Sequence, residues 1–214
     1  MTARSLVVLL GGLAVLPVGD AAAQSRFGWG IAGGLALPSV QREADASVAK
    51  LSGTTFGGWA HIRYAFVEFG AHYLQGSIDD GAGGSAQDLV EGSAFVHVRP
   101  VRQAFLGFGP RARSYVEGGA TERWLTWEAR AGVDAWLFSE LLRSSLEVSL
   151  ALGGNVSGGL AVGSGAGVEG GVDLHIPRTP LFVGVTYRLD QVAIDGLDRR
   201  DTVEQFRFRF GIGH

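Results

Sequence analysis

The final stretch of the chain, 206–210, alternates phenylalanine with arginine. Successive side chains of a β-strand point to opposite faces, so the phenylalanines share one face while Arg207 and Arg209 share the other. Such a strand has one apolar face and one charged face. It needs apolar surroundings on one side and polar surroundings on the other, and this requirement limits the folds available to the chain.

The same two-residue alternation recurs in nine further segments. They are 26–37, 55–64, 67–73, 90–99, 106–113, 124–137, 143–152, 166–176 and 181–189. Together they predict an all-β protein, a transmembrane antiparallel up-and-down β-barrel of about ten strands with lipid outside and a polar interior. Eight strands are the alternative, because Pro110 interrupts the fifth segment and the glycine-rich stretch before 166 is ambiguous.

A soluble barrel with an apolar interior would also alternate, and two features argue against it. Aromatic residues on the apolar face cluster near strand ends, as in the interfacial girdles of membrane barrels. They are Phe27, Trp29, Phe56, Tyr64, Tyr73 and Tyr187. The opposite face carries many arginines and carboxylates mixed with glycine, which favours a polar lumen.

The amino-terminal segment predicts export. The only long apolar run, 6–18, follows Arg4 and precedes three alanines at 21–23. It is too short to span a bilayer as a helix and has the organisation of a signal peptide. We therefore divide the chain into a signal peptide, 1–23, and an outer-membrane barrel domain, 24–214.

Composition excludes several classes of function. The chain has no cysteine, so it cannot form a disulfide, a thiolate metal site or the lipid anchor of a usual lipoprotein. Its net charge of −3 provides no basic field for nucleic acid. No cofactor or metal site is predicted, and the expected surroundings are outer-membrane lipids.

The polar stretches between strands predict the orientation. Five of them are interpreted as loops, namely 38–53, 77–88, a stretch around 117–119, 153–163 and 190–201, and the connections between them as short turns. Because long and short connections alternate, the long loops should share one end of the barrel. The short turns and both termini are then expected on the periplasmic side.

The inward face should carry a network of opposite charges. Hairpin geometry places Arg63 opposite Glu68 and Glu169 opposite Arg188, and similar pairs follow in other hairpins. Unpaired charge in a narrow lumen is costly, so pairing is expected to fill most of the bore. The predicted lumen-lining set is Arg63, Glu68, Glu91, Arg99, Arg111, Arg113, Glu128, Arg130, Glu147, Glu169, Arg188, Arg207 and Arg209.

In pattern, signal peptide and last strand, residues 24–214 resemble the small outer-membrane β-barrel proteins of Gram-negative bacteria, the OmpA-like and small-porin group. The resemblance implies that the barrel-assembly machinery reads the last strand as an assembly signal. Its residues here would be Phe206, Phe208, Phe210, Ile212 and His214. The group usually ends in an aromatic residue, whereas this chain ends in an imidazole.

Two functions follow from a narrow, charged lumen. The protein is expected to be either a narrow passive channel for small solutes or a plugged barrel that acts as a structural or surface-interaction element. An outer-membrane enzyme, of omptin or lipid-modifying type, is the alternative. It is disfavoured because Asp79 and Asp80 should lie at the opposite end from Asp173 and His175, and because we expect the mature chain to be too short for a barrel that projects from the membrane.

Overall fold

The computed structural model describes residues 27–44, 47–81, 86–138 and 141–213. The predicted signal peptide and His214 lie outside these residues. In this part of the chain, no helix is both long and apolar enough to cross a membrane.

The described residues form a closed antiparallel barrel in which each strand pairs with its neighbours in sequence and the last strand pairs with the first. The strands are β1 (Phe27–Ala44), β2 (Ser47–Tyr64), β3 (Val67–Asp79), β4 (Gln87–Val101), β5 (Ala104–Glu117), β6 (Ala120–Leu137), β7 (Leu142–Val156), β8 (Leu160–His175), β9 (Leu181–Ile194) and β10 (Arg199–Gly213). The predicted fold class is confirmed with ten strands, and the eight-stranded alternative is wrong.

The outer face is the apolar one. In β10 the phenylalanines at 206, 208 and 210 are 49%, 43% and 54% exposed, whereas Arg207 between them is 2% exposed. Aromatic side chains also stand outward at the strand ends, with Phe27 51% and Tyr64 67% exposed. An apolar outer wall with aromatic ends is the surface that a membrane barrel presents to lipid.

Both ends of the described chain, Phe27 and Gly213, lie at one end of the barrel, which we call the terminus end. The opposite end, where Ala44 pairs with Ser47, is the far end. Strands of up to 18 residues are longer than the roughly 9–11 that span a bilayer. The outer face also becomes polar towards the far end, as at Gln41 and Lys50. The strands therefore project beyond the apolar band, contrary to the expectation that the chain is too short to do so.

The predicted long loops are largely wrong. Most of 38–53 belongs to β1 and β2, and β7 and β8 extend into 153–163 up to Val156 and from Leu160. Likewise, β9 and β10 leave only 195–198 between them. These stretches are polar on their outer face because they stand in water beyond the lipid, and polar composition alone does not distinguish such strands from loops. The predicted alternation of long and short connections is therefore wrong as well.

Pro110 interrupts pairing locally, as expected for a residue without a backbone N–H. Pairing between β4 and β5 runs to Ser93 and Arg111, and resumes at Val96 and Phe108 in the same register. Pro110 still faces Trp127 on β6. β5 remains one strand because pairing is interrupted only with β4, whereas pairing with β6 is continuous.

Candidate functional site

The lumen holds a network of charged side chains. The structure places the predicted charged set on the inner face of the wall, where each member is buried or half-buried. The strand alternation puts these residues there, since every second side chain must point into the bore.

Glu91 on β4 is the centre of this network and is 0% exposed. Its Oε2 accepts hydrogen bonds from Arg113 Nε at 2.9 Å and Nη2 at 2.5 Å. Its Oε1 lies 3.4 Å from Arg207 Nη2 and 3.2 Å from His72 Nε2. Because Arg207 belongs to β10, which does not adjoin β4, this carboxylate joins opposite walls of the barrel.

Asp190 on β9 forms a second bridge. Its two carboxylate oxygens accept bonds from Arg188 Nε at 2.7 Å and Nη2 at 2.8 Å. Arg111 on β5 also donates to it, at 2.9 Å, across the lumen. Glu169 on β8 receives Arg188 Nη1 at 3.2 Å and Arg207 Nη1 at 3.1 Å. Buried ionic bonds thus tie β9 to β8, β8 to β10 and, across the lumen, β9 to β5.

A third group lies towards the terminus end. Arg99 donates to Glu68 at 3.1 Å and to Asp134 at 2.7 Å, and Arg143 donates to the same Asp134 oxygen at 2.8 Å. Arg63 stands opposite Glu68 in the register of β2 and β3. The predicted ion pair between them is wrong, because in the described residues Glu68 is bound by Arg99 and no ion pair reaches Arg63.

The remaining predicted residues also find partners. Arg130 binds Glu128 at 3.0 Å and lies 3.8 Å from Glu147. Arg209 donates three hydrogen bonds to Asp173, at 2.8, 2.9 and 3.0 Å.

Four network members were missing from the predicted set: Asp134, Arg143, Asp173 and Asp190. Asp190 was assigned to a loop, although it continues the inward alternation of Thr186 and Arg188. The other three stand on predicted inward faces, and the alternation alone could have identified them. The contacts across the lumen could not be predicted, because sequence gives the register of adjacent strands but not the reach of side chains across a closed bore.

Above the charged network, towards the far end, the lumen is filled by an apolar plug. Each of the ten strands contributes one buried side chain to it, and these side chains pack into a single cluster. The members are Val40, Leu51, Ile78, Leu89, Tyr115, Trp124, Val156, Val162, Ile194 and Val203. The plug was not predicted from the sequence, because six of these ten positions were interpreted as parts of loops.

Two β-bulges complete the plug. The register shifts at Trp127/Glu128 between β6 and β7, and at Val162/Gly165 between β8 and β9. An extra residue in one strand reverses the alternation beyond it. Val156 and Val162 therefore face the lumen, although the phase of each strand on the terminus side of its bulge would turn them outward.

A charged cap covers the plug at the far end. Arg199 binds Glu122 at 2.8 Å and Asp201 at 3.0 Å, and Arg42 lies 3.5 Å from Asp201. The guanidinium of Arg42 sits 4.3 Å above the ring of Tyr115, and that of Arg199 sits 5.4 Å above Trp124. These cation–π contacts join the cap to the plug beneath it.

The space left in the middle of the lumen is small. A cavity between plug and network, lined by Arg111, Trp124 and Asp190 among others, has a volume of about 30 Å³. This is room for about one water molecule, not for a solute path. By contrast, the terminus end opens into a vestibule of about 840 Å³, and a further cavity of about 160 Å³ adjoins it.

The residues considered for catalysis do not meet. Asp79 is exposed at the far end and accepts a bond from the Gly81 backbone N–H. Asp173 and His175 lie at the terminus end, where Asp173 is bound by Arg209. Among the described residues, no three His, Cys, Asp or Glu side chains are grouped to hold a metal ion.

A closed barrel of ten strands with an apolar outer wall and a buried ionic interior defines the class: this is an outer-membrane β-barrel protein. No protein-family model matches the sequence, and no curated protein matches it either.

Solved structures resemble the barrel at low sequence identity. The outer-membrane protease OmpT from Escherichia coli superposes with a TM-score of 0.54 at 9% identity, covering 91% of this chain and 99% of that one. The translocator domain of the autotransporter NalP from Neisseria meningitidis gives 0.44 at 12% identity, covering 99% and 93%. Neisserial surface protein A gives 0.38 at 15% identity, covering 88% and 97%. The similarity to OmpT agrees with the fold described above and extends to the fold alone.

Proposed function

We propose that this outer-membrane barrel is closed to solutes and acts as a structural or surface-interaction element rather than as a passive channel. The apolar plug supports this most directly, since it closes the bore with one buried side chain from every strand. The ionic network beneath it supports the same conclusion, because moving a hydrated solute past it would require breaking buried ion pairs.

The projecting far end is the surface that this proposal assigns to interaction. Its strands stand beyond the apolar band, and Val48 and Leu197 near its tips are 66% and 47% exposed. Exposed apolar side chains on a rigid, polar wall are a common basis for contact with another molecule. The connections here are short, so the contact surface would be the strand ends rather than long loops.

The proposal treats the protein as non-enzymatic. In the described residues the carboxylates of the lumen are held by arginines, and the Asp79 and Asp173 regions lie at opposite ends. His72 binds Glu91 and Ser93, and His97 is stacked between Phe95 and Phe105. The likeness to a protease does not alter this, because at 9% identity it extends to the barrel fold alone.

Conductance in a planar lipid bilayer tests the closed barrel. We expect no discrete current steps from the refolded mature protein, and none from Arg188→Ala, because the plug remains intact in both. A variant that opens both layers, Tyr115→Gly with Trp124→Gly and Arg188→Ala, is expected to conduct. Folding of each protein is checked by its heat-dependent shift in gel mobility. Steps from the native protein that change in size with Arg188→Ala would instead establish a channel.

We further propose that the barrel-assembly machinery recognises β10 through its outward Phe206, Phe208, Phe210 and Ile212, together with His214. Phe210→Ala with Ile212→Ala is expected to slow insertion by the purified machinery at least fivefold. Spontaneous refolding into thin vesicles should change much less. The matched control is Val183→Ala with Val185→Ala, which shortens outward side chains on the adjacent strand. Equal slowing in both assays would indicate a loss of barrel stability instead.

A further inference from the structure

The vestibule at the terminus end is a cavity with a defined chemistry. Its volume of about 840 Å³ lies within the range of roughly 300–1,000 Å³ typical of small-molecule sites. The plug and the network close its inner end, so it is a pocket rather than a passage. Its walls come from both sides of the barrel, from every strand except β5 and from the turn between β8 and β9.

The charge of the vestibule is unbalanced. Its three carboxylates, Glu68, Asp134 and Asp173, are each bound by an arginine of the network. Arg63 and Arg178 also line the vestibule, and in the described residues no carboxylate lies within ion-pair distance of either guanidinium. Two uncompensated cations facing one cavity favour an anionic ligand, because a guanidinium presents paired N–H donors to a phosphate or carboxylate.

One wall of the vestibule is aromatic. The ring of His175 lies between two others: Phe182 is stacked on it at 5.4 Å, and Trp136 is tilted against it at 4.8 Å. Trp136 is 38% exposed and Phe138 beside it is 76% exposed. The His175 Nε2 atom is buried without a hydrogen-bond partner in the described residues. Aromatic ring faces beside an unpaired polar atom suit a ligand with an aromatic or other planar part.

We propose that the vestibule binds a small anion that carries a planar apolar group, an aromatic phosphate or carboxylate. Arg63 and Arg178 bind the anionic end of the ligand, and the aromatic wall of Trp136, His175 and Phe182 contacts its planar part. The ligand enters from the terminus end, the side predicted to face the periplasm. The inference goes beyond the closed barrel, and binding is measured without any current, so its failure is distinct from failure of that proposal.

Binding of 1-naphthyl phosphate to the full mature protein in lipid nanodiscs tests the site. Isothermal titration calorimetry measures affinity, with empty nanodiscs subtracted, and quenching of tryptophan fluorescence reports contact with the tryptophans that line the vestibule, Trp29 and Trp136. We expect saturable binding, at least tenfold weaker binding of inorganic phosphate, and at least tenfold weaker binding of 1-naphthyl phosphate to Arg63→Ala with Arg178→Ala.

Two further variants make the test specific. Arg63→Lys with Arg178→Lys should retain part of the affinity, since charge is kept while the planar donors are lost. Arg200→Ala, which removes an exposed arginine at the far end, should bind as the native protein does. The proposal is overturned if the folded native protein does not bind 1-naphthyl phosphate, if the double alanine variant binds it equally well, or if inorganic phosphate binds as tightly.

Discussion

Replacing Glu91 by alanine is expected to lower the free energy of unfolding by about 3–5 kcal/mol, the usual cost of removing one partner of a buried ion pair. This carboxylate is fully buried and lies between Arg113 and Arg207. Without it, two guanidiniums on different strands face each other in a confined lumen. The charge cannot escape to water, because the plug closes one side and the rest of the network occupies the other.

Urea unfolding in lipid vesicles, followed by tryptophan fluorescence, measures this loss. Glu91→Gln keeps the shape of the side chain and loses its charge, so its effect should be smaller than that of alanine. Glu204→Ala is the matched control, since Glu204 is an exposed outward residue of β10. We expect that control to change stability by no more than about 0.5 kcal/mol. If Glu91→Ala and Glu204→Ala behave alike, the network does not hold the barrel together.

The second large effect is expected from Gly57→Ala on β2. A Cβ atom at this position would overlap the Tyr73 carbonyl oxygen and crowd the Leu74 Cα, both on the backbone of β3. A flexible side chain could move aside, but a backbone carbonyl within a paired ladder cannot. The strands would have to separate locally, and we expect a cost of about 3 kcal/mol, at the upper end of the overpacking range.

Gly92→Ala provides the comparison. Gly92 faces outward on β4, where an added Cβ would meet its nearest neighbour, the His72 carbonyl oxygen, at an ordinary 3.6 Å. This variant should be neutral or slightly stabilised, because alanine loses less chain entropy than glycine on folding. The fraction of each protein that keeps the folded, heat-sensitive gel mobility reports the outcome. Equal folded fractions would mean that β2 and β3 can spread without penalty.

The fold was predictable because alternation is a local signal. In β10 and β6 every second residue was assigned to the correct face, since burial of one face dictates the residue types there. The extent of the strands was not predictable in the same way. Beyond the lipid, the outer residue changes from apolar to polar while the backbone continues to pair, and the sequence of 38–53 then looks like a loop.

The lumen was predictable only in part. Charges on inward positions follow from alternation, and so do pairs in one hairpin, such as Glu91 with Arg113. Pairs across the bore, such as Arg111 with Asp190, depend on how the sheet closes and on side-chain length. The predicted ion pair of Arg63 with Glu68 failed for a different reason, because Arg99 on the adjacent strand β4 binds Glu68 instead.

The bulges in β7 and β8 change which residues of these strands face outward. On the terminus side of each bulge the even-numbered residues face outward, and on its far side the odd-numbered residues do. The extra residue of β7 lets Val156 point inward and Asn155 outward while both keep their pairs on β6. Each bulge thus absorbs one residue of strand length in a wall whose faces otherwise alternate strictly. At such a point a strand can gain or lose one residue without turning the side chains beyond it to the other face.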